Sequence, residues 1–114
     1  MLKTSPAAIR TKLKLLMTQT VLDHARWDYT FLRPLSVPDD WAKGQHVQAD
    51  CSKGVQYLAR WAGAPDPMRN GWGDWGNSTT IWLNLPHIPL AEAMPGDPVT
   101  FGPHKHVCMI FKTG

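Results

Sequence analysis

An α+β domain, with helices first and a small antiparallel sheet last, is predicted by three features of this 114-residue chain. Ser5-Pro6 opens a stretch in which Ile9, Leu13, Leu16, Met17, Thr20, Val21 and His24 recur at the spacing of about 3.6 residues that lines up one helix face. A second helical stretch runs from Ser52 to Ala62, with Val55, Leu58, Ala59 and Ala62 on one face and Gly63 closing it. Near the end of the sequence two short β-prone runs, Val99 to Phe101 and His106 to Phe111, flank the connection Gly102-Pro103-His104-Lys105.

Each element has its own local signal. Ser5 is a good N-cap and Pro6 suits the first helical position, so the first helix should run for ~20 residues. Lys3, Arg10, Lys12 and Lys14 fall largely off its apolar stripe and read as a solvated face. From Trp27 to Gln48 no period is sustained, which predicts a long ordered loop whose aromatics pack on something. Pro65 stands just beyond the second helix. Asn77 or Ser78 can cap a short third helix through Ile81, Trp82 and Leu85, which Pro86 ends. Pro95-Gly96-Asp97 is a turn.

A chain of this length holds one domain with one core. Its apolar fraction of 43% and its six Trp, two Tyr and three Phe indicate a packed protein rather than a disordered one. A net charge of +3 is only mildly basic, and no Lys/Arg cluster interleaves with aromatics, which argues against a nucleic-acid partner. The first residues lack the apolar core of a signal peptide and no apolar run is long enough for a membrane, so synthesis in a cytoplasm is expected. Two cysteines, Cys51 and Cys108, are too few for a disulfide scaffold or a zinc knot and read as free thiols.

The chemistry concentrates on Asp50-Cys51-Ser52. A thiol at a helix start meets the positive end of the helix dipole and unpaired N–H groups, and both favour the thiolate. The candidate base lies far along the sequence, where His104, His106 and Cys108 alternate and so share one face of a strand. His106 is preferred because it enters the apolar run that would fix its position, whereas His104 sits in the turn. A His-x-His-x-Cys metal site is the competing reading, but no fourth donor stands at ligand spacing, so no metal or other cofactor is expected. His24 reads as structural, and His46 and His87 as loop residues. In the Gly-rich stretch 71–76, Trp72 and Trp75 are candidates for contact with a sugar or peptide, while Trp82 reads as core.

These residues together resemble the NlpC-type papain-like cysteine peptidases. The resemblance rests on Asp50-Cys51-Ser52 opening a helix, Pro95-Gly96-Asp97 before a strand, and His106-Val107 starting the next strand. It is closer still to the peptidase domains of actinobacteriophage lysins, through Tyr29, Arg33-Pro34, the run Trp61 to Pro67, and Phe101-Gly102-Pro103. It covers about residues 27–114 and implies a papain-like fold and hydrolysis of an amide bond in the stem peptide of bacterial peptidoglycan. Cys51 is then the nucleophile, His106 the base, and Asp50, Ser52 and Tyr29 hold substrate or orient the thiol. The site of action would be the bacterial cell wall.

Two departures from the family pattern accompany this. A small residue is usual where Cys108 stands, so its thiol is expected to fit behind His106 against the catalytic helix. The polar residue that orients the histidine usually follows on the next strand, which predicts a domain truncated at its C-terminus and completed by further lysin domains or by a second chain, or else a nearby polar group such as His104 in its place. Alternatives of other kinds are an N-acetylmuramoyl-L-alanine amidase and a catalytically weak wall-binding or assembly module, part of a split enzyme.

Overall fold

The computed structural model describes residues 5–39, 41, 46–102 and 105–112. Lys3, His104 and Pro103 in the connection before the last strand lie outside the described residues. Helix α1, Pro6–Leu22, starts where its cap residues say it should: the Ser5 hydroxyl accepts from the Ala8 N–H at 3.1 Å and Pro6 follows. Leu13 and Leu16 are buried, and Ile9 and Met17 pack beside them. The stripe ends sooner than its period predicted. The helix stops at Leu22, leaving Val21 72% exposed, and His24 lies exposed in a 3-10 turn spanning His24–Arg26. Only His24 falls beyond the helix; Val21 is still helical, but its side of the last turn lines an open cleft instead of packing on the core.

That strand, β1 at Trp27–Tyr29, pairs in parallel with β2 at Val47–Ala49, in the register Trp27↔Val47 to Tyr29↔Ala49. The expected long loop therefore begins and ends in a short sheet. Three residues cannot display a period of two clearly enough to be read as a strand. Of the aromatics expected to pack in this stretch, Trp27 and Trp41 turn inward, whereas Tyr29 and Phe31 are exposed. Trp27, Trp41, Tyr57 and Trp61 form a cluster with ring centroids 5.5 to 6.3 Å apart, built mostly of edge and tilted contacts.

Helix α2, Cys51–Ala62, is the centre of the molecule. Asp50 caps it by accepting from the Lys53 N–H at 2.9 Å, and Gly63 closes it in the left-handed conformation at φ 81°. Val55, Leu58, Ala59 and Ala62 are buried as their spacing predicts, but so are Ser52, Lys53, Gln56 and Tyr57. A helix buried on almost all sides is a core helix, and all three apolar clusters of the fold lean on it.

Helix α3, Ser78–Asn84, begins with a capping box in which Asn77 and Thr80 satisfy each other's backbone. Its core residue is Ile81. Trp82, read as core from the sequence, is only half buried and packs on His87 at a ring separation of 4.1 Å, while His87 Nε2 lies 2.7 Å from the Trp82 carbonyl oxygen. Strands β3, Pro98–Thr100, and β4, Val107–Met109, form the antiparallel hairpin that the sequence placed near its end. Pro95-Gly96-Asp97 ties this hairpin to α1. Arg10 donates to the Pro95 carbonyl and to Asp97, both at 2.8 Å, and Gly96, at φ 92°, lies so close to Leu13 that a Cβ there would fall 2.6 Å from Leu13 Cδ1. The domain is α+β.

Candidate functional site

A cleft of about 850 Å³ opens between α1, β1, the first half of α2, and β4. Cys51 and His106 both line it. Cys51, a half-buried free thiol, is the first residue of α2, and His106 is exposed immediately before β4. Residues far apart in the sequence thus line one cleft because β4 packs against α2: Val107 is buried with Val55 in the same apolar cluster. Asp50, Tyr29 and Cys108 also line the cleft.

The start of α2 is held by a compact polar network. The Arg33 guanidinium donates to Asp50 at 2.7 Å, to the Gly76 carbonyl at 2.8 Å and to the Phe31 carbonyl at 3.1 Å. The Ser52 hydroxyl, on a residue only 1% exposed, donates to the other Asp50 oxygen at 2.9 Å. Burial pushes the Asp50 carboxyl up, but the hydrogen bonds from the Lys53 N–H, Arg33 and Ser52, with the Arg33 charge, outweigh it and hold the carboxyl below the usual carboxylate range. Asp50 stays ionised and fixed. Asp50 and Ser52 therefore fix the start of the helix that carries Cys51, and Ser52 does not reach the cleft surface.

The same network decides which backbone donors remain at the helix start. The N–H of Lys53 is taken by the Asp50 side chain and that of Gly54 by the Asp50 carbonyl. Among the described residues the N–H groups of Cys51 and Ser52 have no acceptor, and of the two only Cys51 lines the cleft. The His106 ring lies near that of Phe101, with centroids 6.3 Å apart and planes 13° from parallel. Among the described residues no side chain hydrogen-bonds to it. His104, the other imidazole of the strand pattern, lies outside them.

Cys108 departs from expectation. Alternation along β4 turns Val107 toward α2, at 1% exposure, and leaves Cys108 exposed at the cleft rather than packed under the helix behind His106. Trp72 and Trp75 are not among the residues lining the cleft. Trp72 is half buried at φ 61°, with Arg60 lying 5.6 Å from its ring centroid, and Trp75 is exposed. Among the described residues no lysine or arginine lines the cleft, so their positive charge is not focused there. Among the described residues no group of three His, Cys, Asp or Glu is placed to hold a metal ion.

The sequence reading missed Arg33 as a structural anchor and missed a buried polar chain beneath the site. Lys53, with 0% exposure, donates to the Gln56 side chain at 2.6 Å and to the Gly73 carbonyl at 2.8 Å. Gln56 in turn donates to Asp66 and Asn70, both at 3.0 Å, and Asp66 accepts the N–H groups of Met68, Asn70 and Trp72. This chain holds the Gly-rich loop against α2. A Lys and a Gln three apart on one helix face were its only signal, and Arg33-Pro34 gave none for the ion pair. No helix among the described residues is long and apolar enough to cross a membrane. Compared with known proteins, the chain matches no family model, no curated protein and no solved structure.

Proposed function

We propose that the protein is a papain-like cysteine hydrolase of the NlpC type that cleaves an amide bond in the stem peptide of bacterial peptidoglycan, as a phage lysin does. The observation that carries this reading is that Cys51, at the N-terminus of α2, and His106, at the head of β4, line one cleft. In the proposed mechanism the Cys51 thiolate attacks the amide carbonyl and forms a C–S bond. The N–H group of Cys51, at the helix start, stabilises the oxyanion. His106, protonated, gives its proton to the departing amine as the C–N bond breaks. Water, deprotonated by His106, then hydrolyses the thioester and frees the thiol.

Asp50, Ser52 and Arg33 serve this chemistry by fixing the helix start from which the thiol projects, and Tyr29 stands at the cleft where substrate passes. Trp72 and Trp75 would meet only the outer part of a long substrate. The test is hydrolysis of purified cell wall by the wild type and by Cys51→Ala, with mass spectrometry of the products. A cut within the stem peptide marks an endopeptidase. A freed lactyl end on muramic acid marks an amidase using the same two residues. Equal hydrolysis by Cys51→Ala would sink the mechanism. The His106 ring without a side-chain hydrogen-bond partner among the described residues favours a second reading, a wall-binding module with weak catalysis. It predicts binding to purified wall without product release and alkylation of Cys51 by iodoacetamide no faster than a peptide thiol.

A further inference from the structure

We infer that the acyl group delivered to Cys51 is apolar and uncharged on the side that enters the cleft, an inference that rests on the nucleophile reading above. Whatever becomes attached to the Cys51 sulfur must share the cleft that Cys51 lines, and the walls of that cleft are the argument. Met17, Val55, Leu58 and Met109 line its inner part. At its mouth stand Val21, Leu22, Tyr29 and Phe111, each an exposed large apolar residue, gathered on one opening instead of scattered. Contiguous exposed apolar surface of this kind marks a binding site, whereas isolated exposed residues need no explanation.

Charge points the same way. Among the described residues no lysine or arginine lines the cleft; Asp50 is already paired with Arg33 and Lys14 reaches only the Phe111 ring at the mouth, so an anionic acyl chain would find no basic side chain besides His106 in the lining and would face the exposed Asp28 carboxylate. An apolar chain would displace water from apolar walls, a gain that grows with each buried methylene. The volume of about 850 Å³ is in the range of small-molecule sites and exceeds what an acetyl group can fill. In a stem peptide, alanyl methyl groups meet this requirement, and carboxylate-bearing residues would lie outside the cleft.

The test uses 4-nitrophenyl esters of acetate, hexanoate and octanoate, the mono-ester of adipate as the charged counterpart of hexanoate, and the ester of acetyl-leucine. The thiolate attacks the ester carbonyl, the C–O bond breaks, and 4-nitrophenolate leaves with the electron pair. Release of nitrophenolate and the mass added at Cys51 report acylation. The rate constant should rise at least about tenfold from acetate to octanoate, and adipate should fall about tenfold below hexanoate. Octanoate ahead of acetyl-leucine identifies a hydrocarbon chain as the source of the apolar group, and the reverse order a peptide. Either order supports the inference. Val21→Glu, at an exposed position on the mouth, should abolish most of the chain-length gain, while Leu83→Glu, equally exposed and away from the cleft, should keep it. A flat series, or adipate as fast as hexanoate, overturns the inference and leaves Cys51 as nucleophile. No acylation of Cys51 by any ester, acetate included, removes the nucleophile reading and this inference with it.

Discussion

Burial of Lys53 predicts that the protein gains stability as the solution becomes alkaline. Its ammonium group has no exposure to water, and burial, helped by the nearby Arg33 charge, pushes it down from 10.5 to about 8. Between those values the unfolded chain keeps a proton that the folded chain has released, so stability rises with pH through that window. From about pH 7 to about pH 9.5 the gain is about 2 kcal/mol. Tyr57, whose phenol burial pushes up from 10.0 to about 12, works in the opposite sense, but only above that range. Lys53→Met removes the titration and leaves the Gly73 carbonyl and Gln56 oxygen unpaired, at a cost of ~1–3 kcal/mol. Urea unfolding of both proteins across this pH range separates the two effects. The wild type should gain on the variant as pH rises, and two parallel curves would refute the reasoning.

Three further outcomes follow from the packing. Gly96→Ala places a Cβ 2.6 Å from Leu13 Cδ1 in a left-handed backbone, and should cost ~2–4 kcal/mol by thermal or urea unfolding. Arg33→Ala leaves the Asp50 carboxylate in a largely buried place without its cation and should cost about 3 kcal/mol, with Arg33→Lys restoring only part because one ammonium cannot serve Asp50, Gly76 and Phe31 together. If the network does position the thiol, the same Arg33→Ala protein, under conditions where it stays folded, should alkylate at Cys51 at a changed rate. Asn77→Ala removes the α3 cap and should cost about 1 kcal/mol, read in the same unfolding assay.

What could be read from the sequence was local. Ser5-Pro6, Gly63 and Asn77 announce helix ends because a cap works through a hydrogen bond or a φ angle within a few residues, whereas Asp50, capping a helix that begins one residue before the expected Ser52, was not read as a cap. The β3–β4 hairpin was legible for the same reason. The parallel pair β1–β2 was not, since its partners are joined through a long intervening segment and each strand has three residues. Burial of Lys53 and Gln56 depends on Gly73 and Asp66, contributed by a loop whose position no periodicity encodes. Val21 shows the converse: its spacing placed it on the buried stripe, and the turn after Leu22 left it facing an open cleft. At the site, Cys51 and His106 were singled out by the chemistry of their positions and both line one cleft, while the direction of Cys108 awaited the register of β4.

That register makes the two thiols a matched pair for the decisive experiment, because Cys51 and Cys108 line the same cleft and only Cys51 stands at a helix start. Purified peptidoglycan should be incubated with the wild type, Cys51→Ala and Cys108→Ala, each confirmed as folded, and the newly released amino and carboxyl ends counted. The account predicts that Cys51→Ala releases none above the protein-free control and that Cys108→Ala keeps most of the wild-type rate. Undiminished release by Cys51→Ala, or loss confined to Cys108→Ala, would contradict it.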